Sequence, residues 1–220
     1  NYATGNIAIG HDALKDNEDG SSNVAVGSGA LTNNITGEYN VAIGQQSLED
    51  NNVGVGNTAI GRYALKNNTS GYGNVASGTE ALKNNEQGNT NVAIGRMALD
   101  ENTNGSGNIA IGAEAGNGNS ASAINQTSSN SIFIGQGAKS DFVNVDNQIV
   151  IGSGAEGNGG NSIVLGNDNI QKTTLKGNVG IGNSNPDEKL HVFTQSGDAI
   201  IKIEGNSSSS EARTEFWKWN

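Results

Sequence analysis

His11 and His191 are the only imidazoles in this 220-residue chain, which has no cysteine. Acid–base or nucleophilic catalysis sets such a group beside a nucleophile and an orienting partner. Neither histidine has that company. His11 falls on a turn, and His191 lies on the outward face of an alternating segment, opposite Leu190 and Val192. Asp16, Glu18 and Asp19, and again Asp100 and Glu101, offer carboxylate oxygens of the kind calcium takes. No aspartate recurs with the period described below, however, and the Gly-Gly-x-Gly-x-Asp pattern of calcium β-helices is absent. These acids read as solvated turn charges. The triplets Gly54-Val55-Gly56 and Gly180-Ile181-Gly182 open no helix and so cradle no phosphate. Tyr39, Tyr63 and Tyr72 have rings that could stack on sugars, but they sit in three different repeats without a common register. In Phe216-Trp217-Lys218-Trp219 the two indoles share one strand face. Trp217 and Trp219 are the candidate recognition residues, although such a pair suits an interchain core better than a sugar platform. No catalytic, cofactor or metal site is expected, and the chain is not read as an enzyme.

Composition narrows the class. The net charge is −10 and no Lys/Arg cluster exists to neutralise phosphates, which argues against nucleic acid. No apolar run approaches the roughly 20 residues that span a bilayer. Hydrophobic residues make up 33%, beside 33 glycines and a single proline. Those values fit either disorder or a repetitive β architecture with few buried side chains per turn. Periodicity decides between them.

Asn6-Ile7-Ala8-Ile9-Gly10 recurs every 17 residues. Its asparagine returns at Asn23, Asn40, Asn57, Asn74, Asn91 and Asn108, and its central alanine at Ala25, Ala42, Ala59, Ala76, Ala93 and Ala110. Leu14, Asn17 and Gly20 recur in the same register through Leu99, Asn102 and Gly105. Branched residues alternating with alanine are the period-2 mark of a strand. Two glycines per repeat rule out a helix, since each costs about 1 kcal/mol there relative to alanine. The expected fold is all-β: a parallel β-solenoid of 17-residue coils, each with a main strand, a shorter one near Ala13-Leu14, and two turns. Stacking at about 4.8 Å would let the recurrent asparagines hydrogen-bond as a ladder along the axis.

Alternation also assigns two faces. Ile7 and Ile9 with their equivalents are expected to fill the coil beside Leu14. The alanine face is expected to meet a neighbouring chain, as a stripe of small residues lets backbones approach. Ser77 replaces the Ile or Val of the other six copies, so it is expected to weaken its coil unless its hydroxyl finds a partner.

Four regions follow: a regular solenoid over 1–115, a transition over 116–130, irregular coils over 131–182, and a junction with the start of another β-domain over 183–220. In the irregular coils, which start at Ile132, Ile149, Ile163 and Val179, larger residues mostly replace the central alanine. The last region holds alternating strands at 189–193, 199–204 and 212–219. Asn1 falls partway through a repeat, so the chain is expected to be a piece of a longer protein.

The Asn-Val-Ala-Ile-Gly-x-x-Ala-Leu coil resembles the head repeats of trimeric autotransporter adhesins and the shaft repeats of phage tail fibres. The adhesin repeat is shorter, and only the interval from Gly152 to Gly166 has its length. Residues Gly177 to Val192 (GNVGIGNSNPDEKLHV) look like the junction that stands upstream of a distal domain or a self-cleaving chaperone in tail fibres. No chaperone dyad can be placed here. The resemblance implies a homotrimer, a left-handed parallel β-roll, and a role in reaching a cell surface. It implies an extracellular place in a virion tail fibre, with other fibre or tail proteins and a host glycan or protein as partners. The alternative is a bacterial surface adhesin whose solenoid itself binds glycan or matrix protein. An ice- or crystal-binding face would need a regular outward ladder. The variable pairs His11-Asp12, Gln45-Gln46 and Arg62-Tyr63 form none.

Overall fold

A computed structural model describes residues 3–117, 127–142, 144–196, 198 and 201. The chain divides into two units, Asn1–Ile170 and Gln171–Asn220. Among the described residues there is no helix, and so none long and apolar enough to cross a membrane.

The first unit is a parallel β-solenoid. Ten strands stack in sequence order into one sheet: β1 (Ile7–Ile9), β2 (Val24–Val26), β3 (Val41–Ile43), β4 (Thr58–Ile60), β5 (Val75–Ser77), β6 (Val92–Ile94), β7 (Ile109–Ile111), β8 (Ile132–Ile134), β9 (Gln148–Ile151) and β10 (Ser162–Leu165). Each repeat residue pairs with its equivalent one coil on, as Ala42 does with Ala59. Nine steps at about 4.8 Å make the sheet roughly 43 Å tall.

The strands are only three or four residues long because the backbone turns hard on both sides. The residue two before each of the first seven strands is left-handed, with φ between 54° and 71° from Gly5 to Gly107. The glycine closing each strand is also at positive φ, and a Cβ on Gly44 would lie 2.5 Å from the Gly61 carbonyl oxygen. No other residue fits there. The Ala13-Leu14 segment forms a turn where a short strand was expected. It still stacks by backbone hydrogen bonds, such as Leu31 N–H to Ser47 O at 3.0 Å. Leu31, Leu48, Leu65, Leu82 and Leu99 have φ of 49–51°. A left-handed non-glycine residue costs roughly 1–2 kcal/mol. Full burial of a leucine side chain is worth about 1.5–3 kcal/mol and offsets it.

The faces are the reverse of the sequence expectation. Ala25, Ala42, Ala59, Ala76, Ala93 and Ala110 are fully buried inside their own coils, together with the Ala30 and Leu31 columns. The branched residues point outward. A coil this narrow holds one leucine and two alanines, and a β-branched pair facing in would overfill it. The irregular coils conserve that volume differently. Gly116 stands where the next leucine would be, Lys139 and Glu156 follow in that column, and Phe133 and Val150 replace the central alanine. Both are fully buried. A Cβ on Gly116 would lie 2.6 Å from Leu99 Cδ2 and 3.3 Å from Phe133 Cδ2, so the phenylalanine occupies the space a leucine gives up. Bulk at the central position is a core exchange.

In the second unit β11 (Val179–Ile181) pairs in parallel with β12 (Leu190–Val192) as a separate two-stranded sheet. Val179–Ile181 was read as a last irregular coil, and it instead pairs across the Asn185-Pro186 turn.

Candidate functional site

Two features recur along the coil repeat: a buried polar spine and an outward apolar stripe. The spine comes from the asparagine that opens each strand. Asn23 Oδ1 accepts the Asn40 backbone N–H at 2.9 Å and the Asn40 side-chain amide at 3.2 Å. Asn40 Nδ2 also donates to Gly54 O at 2.8 Å. The same bonds recur at Asn57, Asn74 and Asn91. A second ladder links Asn17, Asn34, Asn51, Asn68, Asn85 and Asn102 through their side chains. A Cβ on Gly37 would fall 2.4 Å from Asn34 Oδ1 and 2.5 Å from Gly54 O, which is why a glycine recurs at this point. Asn23 through Asn108 are fully buried along the strand ladder, so their role is structural. The first spine ends at Gln148, which is wholly buried with neither amide atom hydrogen-bonded.

The stripe lies on the other side of the strands. Ile7, Ile9, Ile43, Ile60, Val75, Ile94, Ile111 and Ile151 are exposed, as are Ile163 and Leu165 at its far end. Exposure peaks at the two ends of the stack, where Ile9 and Ile163 leave 61% and 67% of their surface to water. Ser77 belongs to this outward face, and β5 exposes it partially. It therefore interrupts the stripe, and the core of its coil is intact at Ala76, Ala81 and Leu82. The alternation was legible, but its direction was not. The clue was volume, since a coil that already buries a leucine has no room for two branched residues.

Known proteins give no guide here. Comparisons with family models, with curated proteins and with solved structures find no match. The site is defined by its geometry alone.

The remaining sequence candidates are scattered. His11 Nδ1 lies 3.0 Å from Asp12 Oδ2 on the surface. In the second unit His191 Nδ1 lies 2.6 Å from Asp187 Oδ1. No group of three or more His, Asp or Glu among the described residues is arranged to hold a metal. Tyr63 is engaged by cations, with Arg62 4.4 Å, Lys66 5.5 Å and Lys83 5.9 Å from its ring centre. Tyr39 and Tyr72 stay open to solvent. Trp217 and Trp219, and the strands expected at 199–204 and 212–219, lie outside the described residues apart from Ile201.

Asp100 was not singled out as a buried group by the sequence. It is 8% exposed, its Oδ1 has no hydrogen-bond partner, and it lines a cavity of about 300 Å³ with Met97, Glu101, Glu114, Asn117 and Lys139. Loss of water around the carboxyl, helped by the charge of Glu101, pushes it up to about 6. The signal was present in the column itself, where Lys15, Thr32, Glu49, Lys66 and Lys83 precede it.

Proposed function

We propose that this chain is the structural shaft of a homotrimeric extracellular fibre, either a virion tail fibre or a bacterial surface adhesin, that presents a host-attachment region. The observation that supports it is the outward Ile/Val stripe. Ten stacked strands present two parallel outward columns that are branched and apolar except at Thr58 and Ser77, and exposed apolar surface of that extent is the mark of an interface. A second copy presents the same columns at the same spacing, so association around an axis parallel to the stack covers every strand at once. Three copies is the number the resemblance of the Asn-Val-Ala-Ile-Gly coil implies. A scaffold also accounts for the spine, since buried amide ladders hold the coils in register and offer no reactive group. Attachment is assigned to the aromatic-rich end after residue 192.

Immunogold electron microscopy of the source particles or cells tests this reading. Antibodies raised against the chain are expected to label projecting surface fibres. Label confined to the cell interior contradicts it.

A further inference from the structure

We infer that Asn158 is a site of self-catalysed deamidation, with the Asp141 carboxylate as the base that starts it. The reaction joins two neighbours in the chain. The backbone nitrogen of the residue after an asparagine attacks the side-chain Cγ, and that nitrogen must lose its proton as it does so. A base serves only from within hydrogen-bond reach of that proton, about 2.6–3.2 Å between heavy atoms. Gly159 N–H donates to both oxygens of Asp141, at 3.1 Å each. Asp141 reaches across from the preceding coil, and its approach needs Gly157, where a Cβ would fall 3.1 Å from Asp141 Oδ1. Asn158 is exposed, and its amide has no hydrogen-bond partner among the described residues to hold it back. A Cβ on Gly159 would meet nothing within 4 Å, so the space around the attacking nitrogen is open.

Two other Asn-Gly pairs, Asn104-Gly105 and Asn117-Gly118, share the sequence and differ in setting. Gly105 is buried where a Cβ would meet Ser128 O and Asn102 Oδ1, and among the described residues no carboxylate accepts its N–H. Asn117 is held by its side chain, with Nδ2 donating to Met97 O at 2.9 Å and Oδ1 accepting Asp100 N–H at 3.1 Å. At Asn158 the attack forms the bond from Gly159 N to Cγ. The bond from Cγ to Nδ2 breaks, and the proton taken by Asp141 leaves with Nδ2 as ammonia. Water then opens the cyclic imide to aspartate or isoaspartate. One water is consumed and one ammonia released, with no change of oxidation state. The product sets a third carboxylate in the cleft of about 620 Å³ that Asn158 lines with Glu156 and Asp168. It also falls in the turn that feeds β10, where Ser162 Oγ donates to Gly159 O at 2.6 Å.

Peptide mass spectrometry of the full chain, held in warm neutral buffer and sampled over days, tests the site. Conversion is expected at Asn158 ahead of Asn104 and Asn117. Asp141→Asn keeps an acceptor for Gly159 N–H and removes the base, so it should slow conversion by about tenfold or more. Circular dichroism checks that this variant keeps its β-sheet. The natural chain unfolded in urea should also convert Asn158 more slowly, since the carboxylate is then no longer held on the Gly159 nitrogen. The proposal is overturned if Asn158 converts no faster than the other two asparagines. It is equally overturned if Asp141→Asn or unfolding leaves the rate unchanged or raises it, which would make the hydrogen bond a guard against the reaction. The shaft reading rests on the outward stripe, so the two can fail independently.

Discussion

At the scale of single residues, the molecule separates buried polar groups that are satisfied from a few that are not: among the described residues, Asp100 Oδ1, Asn102 Oδ1 and the Gln148 amide. Asn40, Asn57, Asn74 and Asn91 meet acceptors and donors on neighbouring coils, so their burial carries no open cost. Asp100 is the titratable one of the unsatisfied groups. Its carboxyl titrates near 6 in the folded chain, above the ordinary carboxylate value of the unfolded chain. Folding is then favoured where the group is protonated, and that contribution is lost as pH rises from about 4 through about 6. Glu101 and Glu80 reinforce the rise, while Asn117 and Lys83 oppose it. Asp100→Asn is expected to raise the melting temperature at pH 7 by the equivalent of about 1 kcal/mol. It should also flatten the melting-temperature profile between pH 4 and 6. Thermal denaturation followed by circular dichroism at several pH values checks both.

At the scale of the coil, sequence periodicity identified the strand, the closing glycine, the asparagine ladder and the parallel stacking. Those features repeat seven times, and each has a local cause in turn geometry or amide pairing. Which face is inside was not legible, because alternation is symmetric and only the volume of a closed coil breaks the tie. The Leu31 column, held left-handed in a turn, was also hidden, since leucine seldom adopts that conformation without the return from burial. The exchange from leucine to Phe133 makes a prediction. Phe133→Ala removes the largest buried side chain among the described residues of its coil and should cost about 3–5 kcal/mol. Loss of cooperative melting around β7 to β9, read by hydrogen exchange, measures it. Ser77→Ile acts on the other face. It should leave the stability of a lone chain within about 0.5 kcal/mol and lower the concentration at which chains associate, as read by sedimentation velocity.

For the whole molecule, the claim to test is that the outward stripe of branched residues, broken at Ser77, joins copies of the chain around an axis. A sheet with a core as slender as one leucine and two alanines per coil gains little from burial within a single chain. In the proposed assembly, association would supply the missing apolar burial and cover residues such as Ile60 and Ile94, now 44% and 42% exposed. Two charges in the middle of the stripe should therefore break the assembly without touching the core, because both side chains point away from it. The decisive measurement is sedimentation equilibrium of the full 22.5 kDa chain beside its Ile60→Asp/Ile94→Asp variant. The account predicts three times the chain mass for the natural sequence, and the single-chain mass for the variant, with its β-sheet circular dichroism kept. A monomeric natural chain, or a variant that assembles just as well, would contradict it.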